Sequence, residues 1–200
     1  MEKYGTKKRG LTSNAVLAAA VRIAEEKGVS QLTVQALASS LNVKPASLYN
    51  HISGIDEARL HLARYALEKM ETAIRDTAVG YSREEALRKI ACAYRCFGST
   101  HPELYRAFIN STNIEDKRIG EAEQSVVRIL HQVLEPYLLD YETKVHFTRC
   151  FRSSLHGFVN LETAGFFKND INVEASFDIL IENLFMLLNS LSSEKSKNEE

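Results

Sequence analysis

Residues 33–52 read TVQALASSLNVKPASLYNHI, and the fold turns on them. Val34, Leu37, Ala38 and Leu41 recur at i, i+3, i+4 and i+7, one apolar helical face. Thr33 stands just before that face and suits an N-cap, where its side-chain oxygen accepts from an otherwise unpaired backbone N–H. Asn42 interrupts the pattern, and Asn tolerates the left-handed backbone of a sharp turn. Pro45 pre-sets the first turn of a second helix. In that helix Leu48 and Ile52 point inward at i and i+4, leaving Ser47, Tyr49, Asn50 and His51 outward. A helix this short returns too little to offset its own nucleation. Its exposed polar and aromatic side chains therefore need another reason. A helix-turn-helix supplies one, because its second helix enters the DNA major groove. Spacing alone also fits an ordinary helical corner.

Upstream, residues 1–11 read as a flexible arm with a basic run at Lys7, Lys8 and Arg9, able to follow a DNA backbone or reach a minor groove. Helix 1 is expected after Thr12-Ser13-Asn14, with Val16, Leu17, Ala20, Val21, Ile23 and Ala24 inward and Gly28 as its stop. Residues 12–58 then form a three-helix head. Downstream, Gly54 breaks the chain, and Asp56 and Glu57 put negative charge at the start of helix 4, where the dipole favours it. That helix is expected over Ile55–Ala78, with Ala58, Leu62, Tyr65, Ala66, Met70 and Ala73 periodic. Its length makes it a strut from head to body.

Five further helices follow in the pattern: about 82–100, one opened by Pro102, one ending near Pro136, then about 140–166 and 173–191. Asn110 to Gly120 is the expected loop. The last helix is apolar at Phe177, Leu180, Ile181, Leu184, Phe185, Leu188 and Leu191, widened by Ile179 and Leu187. That face is too broad for one neighbour, and a place near the chain's end favours an interface. Residues 59–192 make the body, and 193–200 a polar, disordered tail. The predicted fold is all-α, about nine helices.

Charge divides along the same line. Residues 1–55 hold seven Lys and Arg against three Glu, a net of +4, while the whole chain carries −1, so the remainder carries −5. A basic front on an acidic body suits a phosphate-binding head. No apolar run approaches the ~18 residues of a membrane span, so no membrane is expected. The first residues lack the apolar core of a secretory signal. Three cysteines without a disulfide framework point to a reducing cytosol and a cytoplasmic location.

AVLAAAVRIAEEKGV, LTVQALASSLNVKPASLYNHI and the charged opening of helix 4 together resemble the TetR family of bacterial transcriptional regulators. Leu48, Tyr49 and His51, at their distance from Thr33 and Ala38, carry the specific signal. Asn42 stands where the family often has Gly, and Ile55 where it usually has Lys. HPELYRAFI and LHGFVNLETAGFF resemble the WHG-type C-terminal ligand domain of TetR relatives, although Leu155 replaces its Trp.

The resemblance implies a sequence-specific DNA-binding regulator, a repressor released from a palindromic operator by a small apolar ligand. Lys44 can neutralise a phosphate or reach guanine, Ala46 can touch a thymine methyl, and Ser47 and Asn50 can bond base edges. Pro45 opens the same helix. Tyr49 and His51 match family positions that bond phosphates, fixing register. Thr33 and Gln35 can hold the flanking backbone or an edge base.

The body offers three constellations. Cys92 and Cys96, like His146 and Cys150, share a helix face at i, i+4 and could serve a soft metal or a redox switch. With no third ligand, Cys92 and Cys96 read instead as small apolar residues beside the core, and no metal or cofactor is expected. Of 17 Phe and Tyr, 15 follow residue 60. Tyr94, Phe97, Tyr105, Phe108, Phe147 and Phe151 are the pocket candidates, although helical spacing alone also explains them. Phe158, Phe177, Ile181, Leu184 and Leu188 are the candidates for a homodimer interface. No nucleotide, dinucleotide, hydrolase or metalloprotease motif is present, so no enzyme is expected. Two alternatives stay open: a DNA-associated interaction protein of the same fold without a small ligand, and an all-α enzyme whose head only resembles a DNA reader.

Overall fold

In a computed structural model, residues 11–110 and 116–198 are described, without the side chains of Arg118, Ala122 and 194–198. The basic run at Lys7 to Arg9 lies outside these residues. The described residues form α1 (Ser13–Lys27), α2 (Val34–Leu41), α3 (Pro45–Leu48), α4 (Ile55–Ala78), α5 (Arg83–Thr100), α6 (Pro102–Ile109), α7 (Lys117–Leu134), α8 (Tyr141–Thr163) and α9 (Val173–Asn198). They include no strand, so the all-α expectation holds. Short 3₁₀ turns at Val29–Gln31 and Glu135–Tyr137 complete the path.

Caps set the ends of the helices. Thr12 Oγ1 accepts from the Ala15 N–H at 3.2 Å, Thr33 Oγ1 from Ala36 at 3.1 Å and Asp140 Oδ1 from Thr143 at 2.8 Å. Each satisfies one orphan donor of a first turn. Gly28 closes α1 at φ 92°, a backbone that side chains disfavour, with its N–H on the Ala24 carbonyl.

Strut α4 packs against α1 at its start and against α5, α6 and α7 along the body. Ala58, Leu62, Ala63, Ala66, Leu67, Met70 and Ile74 form its buried face. The sequence reading had Tyr65 and Ala73 in this face; both are only half-buried, and Leu67 and Ile74 take the inner positions. A helix with partners on several sides has a wider apolar arc than one stripe.

Two departures concern length. Helix α3 spans only Pro45–Leu48, and Tyr49, Asn50 and His51 continue it as a turn. Those three are weak helix formers, and between Leu48 and Ile52 no further apolar residue anchors the segment. At the other end α9 runs to Asn198, where the composition suggested a stop near Leu191. Ser192 Oγ donates to the Tyr137 carbonyl at 3.0 Å, which ties that part of α9 to the body.

Helix α9 also shows which side of its wide apolar girth faces inward. Phe177, Ile181, Leu184, Phe185 and Leu188 are buried within the single chain. Arg95 of α5 holds this packing: it makes two bonds to Glu162 at 2.6 and 2.9 Å and two to Glu174 at 2.7 and 2.9 Å. Its guanidinium lies 4.6 Å from the Phe177 ring centre and 5.4 Å from that of Phe158. Of the residues expected at a dimer interface, Phe177, Ile181, Leu184 and Leu188 are therefore core. Phe158 is half-buried between the Phe167 and Phe177 rings. Periodicity shows that a face is apolar but not which neighbour it meets.

Candidate nucleic-acid interface

The turn between α2 and α3 is built around Asn42, which sits at φ 53° and ψ 46°. Its neighbour Val43 donates to the Ala38 carbonyl at 3.0 Å, the six-to-one bond that closes a helix end through a left-handed residue. Arg22 of α1 donates to Ser40 Oγ at 2.5 Å and to the Ser40 carbonyl at 3.3 Å, pinning the end of α2. No local pattern in the sequence signals this contact between residues 18 positions apart.

Beyond the turn only Leu48 and Ile52 are buried, at 0% and 3% exposure, and they fasten the segment to the head. Lys44, Pro45, Ala46, Tyr49 and Asn50 are exposed, and Ser47 and His51 half-buried. Tyr49 is 58% exposed, unusual for so large a side chain. No described residue makes a side-chain hydrogen bond or ion pair with any of these seven. Among the described residues their side-chain donors and acceptors are free along this ridge. Thr33 and Gln35 are exposed at the start of α2. Thr33 Oγ1 already accepts from Ala36, yet its hydroxyl hydrogen can still be donated outward.

A second anchor follows the ridge. The Ser53 N–H donates to Glu57 Oε2 at 2.5 Å, which holds the Glu57 carboxyl below its usual range and fixes the entry into α4. The head is also tied to the body through α6. Glu103 Oε2 accepts from the Val29 N–H at 2.8 Å, and His101 Nδ1 lies 2.7 Å from Glu25 Oε1.

The body contains a cavity of about 320 Å³ between α4, α5, α6, α7 and α8. Of the six aromatic pocket candidates, Tyr94, Phe108 and Phe151 line it, and Phe97, Tyr105 and Phe147 are buried outside its wall. Tyr105 stands behind the wall, its hydroxyl 2.9 Å from that of Tyr94 and 2.5 Å from His156 Nδ1. Burial raises both phenol pKa values, so both keep their protons at neutral pH. The sequence reading missed the polar rim of Glu123, Arg149, Arg152, Ser153 and His156.

The thiols of Cys92, Cys96 and Cys150 are free and exposed, which corrects the reading of Cys92 and Cys96 as small buried residues. Among the described residues no group of three or more His, Cys, Asp or Glu is placed to hold a metal ion. No described helix is long and apolar enough to cross a membrane.

Comparison with known proteins covers both halves. Residues 16–57 match the family model described as bacterial regulatory proteins, tetR family, and residues 87–184 match the tetracyclin repressor-like C-terminal domain. The uncharacterized HTH-type transcriptional regulator YobS of Bacillus subtilis is 32% identical over 173 residues, spanning 86% of this chain and 90% of its own. The uncharacterized HTH-type transcriptional regulator Rv0681 of Mycobacterium tuberculosis is 30% identical over 172 residues, 86% of this chain and 78% of its own. A solved structure of a protein of unknown function from Rhodococcus sp. RHA1 superposes with a TM-score of 0.76 at 19% identity, covering 93% of this chain and 98% of that one.

Proposed function

Because this chain belongs to the TetR family of DNA-binding transcriptional regulators, we propose that it acts as a homodimeric repressor released from a palindromic operator by a small molecule. The observation that carries the reading is the ridge of residues 44–47 and 49–51, whose side chains have no hydrogen-bond or ion-pair partner among the described residues and which is held by the buried anchors Leu48 and Ile52. Residues 12–58 act as the reading head and 59–192 as the ligand and dimer body. Lys44, Ser47 and Asn50 reach base edges or flanking phosphate, Ala46 meets a thymine methyl, and Pro45 sets the helix that carries them. Tyr49, His51, Thr33 and Gln35 hold the backbone and set register. The operator is reached by two heads about one DNA turn apart, ~34–36 Å.

In the dimer the outer stripe of α9 does the pairing, through Ile179, Met186 and Leu187, and Leu161 of α8 is exposed as well. Ile179 and Met186 are 63% and 61% exposed in the single chain, a high value for apolar side chains. The alternative, a DNA-associated protein of this fold with no small ligand, goes with a filled body. The cavity of about 320 Å³ supports the ligand reading instead.

The test begins with selection of a duplex from a random pool by purified protein. Lys44→Ala and Tyr49→Phe should weaken binding to the selected duplex while leaving helicity and melting unchanged. Loss of the Lys44 charge from a phosphate also lowers the slope of log affinity against log salt by ~1, whereas Tyr49→Phe leaves that slope unchanged. Wild-type affinity in both variants would refute the contact assignment.

A further inference from the structure

The body cavity has an apolar floor and a charged rim, and the two differ in kind. Leu67, Met70 and Leu130 supply floor surface with no polar atoms to satisfy. Arg149 and Arg152 stand at the rim on α8, three residues apart and so on one helix face. Neither guanidinium has an ion-pair partner among the described residues. Of the other body arginines, Arg88 pairs with Glu182 and Arg95 with Glu162 and Glu174, whereas Arg83 and Arg128, which do not line this cavity, make no ion pair among the described residues either. Glu123 of α7 is the carboxylate in the lining, and it too makes no ion pair among the described residues. The rim thus carries two fixed positive charges and one negative charge.

Arginine pairs with carboxylates through a planar fork of donors, and an apolar wall next to it strengthens that pairing by excluding water. Arg152 and Tyr94 line the same cavity, which places Arg152 on the cavity side of α8. Tyr94 and His156 add hydrogen-bonding groups to the same wall, linked through Tyr105. At about 320 Å³ the space suits a small organic molecule.

We propose that the effector is an amphipathic anion, its apolar body seated among Leu67, Met70 and Leu130 and its anionic end held by Arg149 and Arg152. This rests on the ligand-responsive reading above and narrows it from an apolar ligand to a charged one.

The experiment measures binding to the full chain without DNA, by calorimetry and melting shift. Three probes of one chain length are used: decanoate, 1-decanol and decylamine. Decanoate should bind about tenfold more tightly than 1-decanol, the ratio expected of charge-assisted bonds to arginine. Decylamine should bind most weakly. In the R149Q/R152Q variant, with wild-type helicity, decanoate should fall to the affinity of 1-decanol while 1-decanol is unchanged. Rising salt should weaken decanoate and spare 1-decanol in the wild-type protein, which tests the charge without any substitution. Equal binding of acid and alcohol, preference for the amine, or binding of none of the three would overturn the proposal. Decanoate binding that leaves the protein on its selected duplex would count against the repressor reading and leave this one standing.

Discussion

At Gly98 a backbone of α5 meets a side chain of α8 with no room for a methyl group. A Cβ built there would stand 2.3 Å from Val159 Cγ1, and Val159 is itself fully buried. Gly98→Ala should therefore cost about 1–3 kcal/mol, the usual toll of overpacking. Thermal melting should show the loss, and Val159→Ala in the same chain should restore part of it; an unchanged midpoint would mean that the helices separate freely. Asn42 is a residue of another kind, chosen for its backbone. Its φ of 53° is open to Asn and Gly and strained for a β-branched side chain. Asn42→Gly should leave stability nearly unchanged, whereas Asn42→Val should lower it by roughly 1–2 kcal/mol in denaturant titration.

Among the elements, α6 joins the two halves alongside the strut α4. Glu103 binds the Val29 backbone of the head, and Phe108 on the same helix lines the cavity. Glu103 also pairs with Arg106, so its carboxylate is oriented within the helix. Glu103→Ala leaves the Val29 N–H without this acceptor, at a cost of about 1–3 kcal/mol. Amide exchange at Val29 should accelerate while exchange at the buried residues of α4 stays slow. Equal acceleration everywhere would mark a global loss of stability instead. Pro102 marks the start of α6 in the sequence, yet nothing near Glu103 announces a partner 74 residues back. A single hydrogen bond between remote segments leaves no periodicity behind.

At the scale of the whole molecule, the proposed dimer depends on which apolar residues of α9 are left outside the single chain. Leu184 is 5% exposed and supports the single chain, whereas Met186, two residues on, is 61% exposed. Met186→Glu should yield a folded monomer with much weakened operator binding, because a paired head is lost. Leu184→Glu should destabilise the fold itself, since it buries a charge without a partner. Sedimentation and circular dichroism separate the two outcomes; a folded monomer from the Leu184 variant and an intact dimer from the Met186 variant would reverse the assignment.

Local rules were enough for most of the head, the length of α3 and the Arg22–Ser40 contact excepted. Caps at Thr12 and Thr33, the left-handed Asn42, Pro45 and the anchors Leu48 and Ile52 each act within a few residues, so their logic is written in consecutive letters. The broad division into helices was legible for the same reason, since helical periodicity repeats every few positions. What the order of residues left open is which neighbour each apolar surface meets. Helix α9 is apolar over more than one stripe, and only packing against the rest of the body turned Ile181 and Leu184 inward and Ile179 and Met186 outward. The cavity is likewise assembled from five helices, with Arg149 and Arg152 brought opposite Leu67 and Met70 of a helix some eighty residues earlier. Such arrangements depend on burial summed over distant segments, and that sum exists only once the chain has folded.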